Sequence, residues 1–484
     1  MYDRPRSTTA CSKGDYMKIG MARRMRGRSL LLLPLLAASL ALPAGPARAD
    51  STPVRTIETH VLPIGQYTLG TITKQGAAAL RTMRTRAAED DGAQIALETI
   101  GPAARFAKKS SVASAAAQPP PRPTAVQRAA AAVTYPAPAR TMTAAECRTA
   151  LGSSNKFSLK SRFAVCSGAS FLQTWLQNGR PVGESMFNVM AVGTIGENTR
   201  QIQFTYHVTD RVSTGNTGVA GMQITLDGKM AQSWPSTVKY TPGGTALPVT
   251  KTWAQFAAAS SVQTSVTAAN GAGSNGSTES IFAVYQPSVK IKAPVPWTLG
   301  GSTGGNLFML APRWDKASYL ANSAKGGAAT FSYLGTLYYS KAEGAPERAV
   351  ALHIEKAFKT PGQTQPPSST KKIPGQTADE PLTRLYTDTA RRDRNRAVAV
   401  SNCRKYFGAD YATGGKECDE FPFASTYQGS AGSEYDPYQL PNNFSVQALD
   451  GTQNGNAGNL LSQFVSKYRL LDGPDDGYLV QIIG

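Results

Sequence analysis

Between Cys147 and about Phe358 the chain breaks into short runs of alternating apolar and polar residues, and this pattern narrows its fold more than any other feature. Ile202, Phe204, Tyr206 and Val208 alternate with Gln201, Gln203, Thr205 and His207, and the same rhythm returns at Met222-Gln223-Ile224-Thr225-Leu226 and at Val262, Thr264 and Val266. Ser280-Ile281-Phe282-Ala283-Val284-Tyr285 follows, and turn-forming clusters (Asp227-Gly228, Thr241-Pro242-Gly243-Gly244, Asn270-Gly271) stand between the runs. A period of two is that of a strand with one face in a core. Several short strands punctuated this way predict a β-rich, sandwich-like domain over residues 146–358. His207 falls inside one of these runs with no second histidine or cysteine near it, so it is expected as a sheet residue and not a metal ligand.

The flanks have a different texture. A chain of 484 residues has room for two or three domains. Residues 50–145 are dominated by Ala, Thr, Pro and Arg. Pro119-Pro120-Pro121-Arg122-Pro123 and Pro136-Ala137-Pro138-Ala139 predict extended linker, and only a weak helical recurrence (Ala77, Leu80, Met83, Ala87) interrupts it. The stretch is expected to be mostly disordered. A second linker, rich in Pro, Gln, Ser and Thr, is expected at 359–380, because such a composition buries little. That leaves residues 381–484 as a separate small α+β unit.

Arg23, Arg24, Arg26 and Arg28 precede an apolar run from Leu30 to Leu42, and Ala47-Arg48-Ala49 follows. This is the layout of a secretory signal peptide over residues 1–49, cleaved near Ala49, and the run is too short for a membrane span. Export fits the cysteines. Cys11 would leave with the leader, and Cys147, Cys166, Cys403 and Cys418 form two sequence-local pairs. Four cysteines allow three connectivities; the local one, Cys147 with Cys166 and Cys403 with Cys418, is the natural choice, and zinc-ligand spacing is absent. The net charge of +19 points to an acidic partner, a nucleic acid or an anionic surface, and association with the cell wall or surface is compatible with it.

In the last unit Leu385, Ala390, Ala397 and Val400 recur on one broad side of an expected helix from Leu382 to Phe407, whose Arg391, Arg392, Arg394, Arg396, Arg404 and Lys405 form a basic face. The remainder is acidic. Carboxylates beside a basic helix suit metal-assisted phosphodiester cleavage, in which they hold a hard cation and the cation polarises the phosphate. Asp419 and Glu420 are adjacent, so in a strand they would point to opposite faces. No histidine follows His353, so a histidine base or a Ser-His-Asp triad within residues 381–484 is excluded, and the base is expected to be a carboxylate or a metal-activated water.

The run Cys418-Asp419-Glu420-Phe421-Pro422-Phe423-Ala424-Ser425-Thr426-Tyr427-Gln428-Gly429 resembles the core motif of the NucA/NucB family of secreted bacterial deoxyribonucleases. Asn454-Gly455-Asn456-Ala457-Gly458-Asn459-Leu460-Leu461 is similar to the family's second block, and Asp476 to Ile483 to its last strand. The resemblance spans roughly Leu382 to Gly484 and implies a ββα-metal type endonuclease that uses Mg²⁺ or Mn²⁺ to cut DNA with little sequence preference. It also implies Asp419 as general base in place of histidine, Glu420 as metal ligand or structural partner, and Asn459 as metal or phosphate ligand supported by Asn454. Arg396 and Arg404 are the expected phosphate contacts. Gln428 stands where the family often has Glu, and the second block carries amides only. Those departures leave open a surface-binding β-domain protein with a degenerate nuclease unit; a secreted nuclease toxin is the other alternative.

Overall fold

The computed structural model describes residues 52–94, 133–152, 157–272, 274–275, 278–474 and 476–484. The expected signal peptide and the Pro119–Pro123 run lie outside the described residues. Among the described residues no helix is long and apolar enough to cross a membrane.

The alternating runs form strands, as their period requires. An eight-stranded sheet is built around the long antiparallel strands Ala164–Gln177, Arg180–Thr194 and Gln201–Gly215. A seven-stranded sheet is built around Gln223–Trp234 and Thr278–Lys292. Both sheets feed one apolar core: Trp175, Phe187, Phe204 and Tyr206 from the first meet Ile224, Ile281, Tyr285 and Trp314 from the second. Phe204 and Tyr285 stack with ring centroids 3.8 Å apart. His207 is an ordinary residue of the first sheet, half-buried, and burial lowers its pKa.

Much of the stretch expected to be disordered is ordered in the described residues. Arg55–Leu62 pairs along its whole length with Ala164–Gln177. The helix Ala77–Gln94 lays Leu80 and Met83 on Leu172 and Leu176, so the sheet is covered on its outer side as well. The helix Ala144–Leu151 does the same with Cys147 and Leu151, next to the disulfide Cys147–Cys166. The helical recurrence of Ala77, Leu80 and Met83 marks the helix Ala77–Gln94, whereas Arg55–Leu62 and Ala144–Leu151 escape local periodicity because a strand covered on both faces, or a short helix that buries only two side chains, leaves little pattern.

The C-terminal part is assembled from more than its own hundred residues. Its closing strand Gly477–Ile483 pairs in parallel with Gly335–Ser340 and antiparallel with the short Leu382–Thr383. Arg348–Lys359, with Val350, Ala351, Ile354 and Ala357 buried, packs into the same core as Phe421, Leu449, Phe464 and Val480. Tyr135 enters it from still earlier in the chain, its ring against Phe464 and Tyr468. The expected linker 359–380 is folded too. Lys371 is buried and donates to Thr364 Oγ1 (2.9 Å) and Pro366 O (2.6 Å), and Val446 N donates to Gln365 O (2.7 Å). A single ammonium satisfying several loop oxygens stands in for the apolar residues the segment lacks.

A buried ionic network ties the two parts together. Asp476 accepts from Arg162 (2.9 Å) and Arg313, both of the β-rich part, and from Leu471 N (3.0 Å). Arg469 returns the contact by pairing with Asp315. Every member is almost wholly buried. Burial alone would push the Asp476 carboxyl up, but Arg162 and Arg313 outweigh it and hold the group below the usual carboxylate range. Replacing Asp476 by Asn leaves the buried Arg162 guanidinium without a carboxylate among the described residues and Arg313 with Asp315 alone, and is expected to cost about 3–5 kcal/mol, read as a lowered urea midpoint at unchanged slope.

Candidate active site

The geometry around Asp419 and Glu420 follows from one strand and the helices on its two sides. Lys416–Phe421 pairs antiparallel with Ser445–Asp450, and the hairpin runs directly into the helix Gly451–Lys467. Successive side chains of a strand point to opposite faces. Cys418 and Glu420 therefore face the arginine helix Thr389–Phe407, whereas Asp419 and Phe421 face Arg348–Lys359, which we term the histidine helix.

On the first face the arginine helix is capped by Asp388, whose side chain accepts from Arg391 N (2.9 Å), and is bound to the strand by the disulfide Cys403–Cys418. Asn395, fully buried, donates to Ala424 O (2.9 Å) and Thr426 O (3.1 Å) and accepts from Ala431 N (3.0 Å), which fixes the loop after the Asp-Glu pair. Gly429 passes so close to that amide that a Cβ there would sit 2.3 Å from Asn395 Nδ2, so only glycine fits. Arg396 donates to Cys418 O (2.6 Å) and pairs with Glu420. Burial pushes the Glu420 carboxyl up to about 7; Arg396 pulls it down without prevailing, and Asp419 next door adds to the rise. Arg396 is itself partly solvated, which weakens its hold.

A carboxyl whose native pKa lies above its unfolded value stabilises the fold fully below about 4.3 and loses that contribution as pH rises through the folded value. Between pH 4.5 and 7.5 stability should therefore fall, by on the order of 3 kcal/mol from this group. Chemical denaturation of Glu420→Gln across that range should give a flatter profile than the parent.

The second face is arranged differently. Asp419 Oδ2 lies 2.6 Å from His353 Nδ1, and His353 Nε2 lies 2.6 Å from Ser445 Oγ. An ionised carboxylate can only accept, so Nδ1 carries the proton, and the Ser445 hydroxyl can donate to Nε2 of a neutral ring. His353 and Ser445 are shut off from solvent, at 2% and 0% exposure. Among the described residues Asp419 Oδ1 accepts no hydrogen bond. The histidine excluded from residues 381–484 is thus supplied from outside them. The spacing of Val350, His353, Ile354 and Ala357 is the amphipathic signal that could have placed it on a packed helix.

The helix Gly451–Lys467 closes this side. Asp450 caps it by accepting from Gln453 N (2.9 Å), Gln453 Oε1 accepts from Ala349 N (2.7 Å) at the start of the histidine helix, and Asn454 donates to Glu417 Oε2 (2.8 Å). Glu417 shares the face of Asp419, two residues away on the strand. Asn459 does not join them: five residues beyond Asn454 it lies about 140° round the helix, exposed and without a hydrogen bond among the described residues. Arg404 is exposed and unpaired among them as well. Arg396, expected at phosphate, is occupied by Glu420 and a backbone carbonyl. Glu420 itself points to the opposite face of the strand from Asp419, toward Arg396. Gln428 accepts from Thr383 N (2.9 Å) and anchors the short strand of the closing sheet. Among the described residues no three His, Cys, Asp or Glu side chains gather to hold a metal unaided.

Residues 371–477 match the family model of deoxyribonuclease NucA/NucB. A comparison with curated proteins returns no match for this chain.

Proposed function

We propose, from the NucA/NucB deoxyribonuclease domain carried by residues 371–477, that the protein is a secreted, metal-dependent endonuclease whose general base is Asp419. The observation that carries this reading is the asymmetry of the Asp419 carboxylate: Oδ2 is held by His353, while Oδ1 accepts no hydrogen bond among the described residues. The strand–strand–helix order from Lys416 to Lys467 supports a ββα-metal arrangement. The two disulfides suit an oxidising compartment, in keeping with the signal-peptide layout of the N-terminal sequence.

Mg²⁺ or Mn²⁺ fits the donor set. Glu417 and the amide oxygen of Asn454, already paired through Asn454 Nδ2, are hard oxygen donors on the side of Asp419. Such an ion keeps several waters and needs only one or two carboxylates from the protein. When bound it supplies Lewis-acid polarisation of the phosphodiester. Asp419 Oδ1 takes the proton from the attacking water, and the guanidinium of Arg404, exposed and unpaired among the described residues, contacts a neighbouring phosphate. Glu420 serves as structural partner to Arg396 on the far side of the strand, and Gln428 lies outside the chemistry, so the missing carboxylate at 428 does not disable the site.

Supercoiled plasmid incubated with the full chain tests the reading. Nicking is expected in Mg²⁺ or Mn²⁺ and is abolished by EDTA. Absence of cleavage under any of these conditions would favour the alternative, a β-rich binding protein with a degenerate nuclease unit. Cleavage that ignores EDTA would remove the metal from the mechanism.

A further inference from the structure

We infer that His353 is a positioning residue for Asp419, and that the site is completed by a helix lying outside the matched domain. This rests on the reading of Asp419 as base. Two short hydrogen bonds, one at each ring nitrogen, leave the imidazole no rotational freedom: Nδ1 meets Asp419 Oδ2 and Nε2 meets Ser445 Oγ, each at 2.6 Å. Ser445 sits on the strand paired with that of Asp419, where its register partner is Phe421. The ring therefore spans both strands of the hairpin. It does so from a helix whose neighbours Val350, Ile354 and Ala357 are buried and whose first turn is bonded to Gln453.

The consequence is directional. With Oδ2 committed to His353, the carboxylate plane is set and Oδ1 is the oxygen presented for proton transfer. Ser445 is wholly buried and cannot act as a nucleophile toward a polymer substrate, so the Asp–His–Ser arrangement orients a base and does not form an acyl-transfer triad. Outer-sphere partners of this kind typically change activity about 10–100-fold when removed. His353 precedes the matched residues 371–477, so a comparison confined to the domain would not include it.

The test uses the full chain and four variants: His353→Leu, His353→Asn, Ser445→Ala and Asp419→Asn. Leu fills the space without a donor; the Asn amide places an N–H where Nδ1 stands. His353→Leu should lower kcat about 10–100-fold with KM for DNA nearly unchanged. His353→Asn should restore most of kcat, and Ser445→Ala should give an intermediate loss. A kcat for His353→Leu within about twofold of the parent, while Asp419→Asn is inactive, overturns the positioning role and leaves the base assignment standing. Full activity in Asp419→Asn sinks the base assignment instead. Nitrogen-15 spectra of the histidine rings give a readout independent of turnover, with the His353 signal identified by its loss in His353→Asn. The Nδ1–H tautomer is expected, and the Nε2–H tautomer overturns the proposal. If His353→Leu does not fold, the kcat of His353→Asn and the ring spectra decide.

Discussion

A fragment that begins at Pro381 is expected not to fold. Of the nineteen buried apolar residues in the C-terminal core, eight precede that point: Tyr135, Leu337, Tyr339, Val350, Ala351, Ile354, Ala357 and Ile373. Full burial of a large apolar side chain is worth roughly 1.5–3 kcal/mol, so their loss rivals the 5–15 kcal/mol that holds a typical domain together. The fragment also removes Gly335–Ser340, leaving Gly477–Ile483 with only the two-residue strand Leu382–Thr383 beside it. Asp476 and Arg469 lose Arg162, Arg313 and Asp315. Circular dichroism should show no cooperative melt for residues 381–484, against a clear transition for a chain starting at Pro53. A sharp, reversible transition in the short fragment would mean that these contacts are dispensable.

The second large effect falls on activity. Asp419→Ala should lower the cleavage rate about 10²–10⁴-fold, the usual worth of a positioned general base. It should also cost about 1–3 kcal/mol of stability, because His353 Nδ1–H is left buried without its acceptor. Asp419→Asn keeps an acceptor oxygen for His353 but cannot take a proton, so it should lose activity to a similar degree with a smaller change in melting temperature. Comparison of the two separates chemistry from folding. Loss of activity in Ala but not in Asn would assign Asp419 a structural role.

The strands of the β-rich part were legible because period-two alternation is a strong signal over five or more residues. The opposite orientation of Asp419 and Glu420 followed from the period of a strand, but the arginine helix begins at Thr389 and not at Leu382, and it buries Asn395, Ala399 and Cys403 while Ala390 and Ala397 of the expected apolar side are exposed. Both disulfides formed between the sequence-local pairs, Cys147–Cys166 and Cys403–Cys418. What escaped was non-local. His353 stands 66 residues before Asp419, and nothing in a linear reading distinguishes it from a core histidine of the preceding domain. The segment 359–380 has the composition of a linker, yet Lys371 gathers its own loop oxygens, Gln365 O accepts from Val446 N of the hairpin, and Ile373 enters the C-terminal core. Arg162 and Arg313 look like surface charges until Asp476, more than 150 residues away, is folded between them. The motif that points to Asn459 carries no information on its direction, and the helical angle of about 140° from Asn454 sets it on a different, exposed side of the helix.

The central claim is that chemistry occurs on the histidine-helix face of the acidic strand and not on the arginine-helix face. Plasmid cleavage by Asp419→Asn and Glu420→Gln, measured side by side in Mg²⁺ with the full chain, tests it most directly. The account predicts a loss of at least about 100-fold for Asp419→Asn and less than about tenfold for Glu420→Gln. The reverse order, with Glu420→Gln inactive and Asp419→Asn close to the parent, would place the site against Arg396 and contradict it.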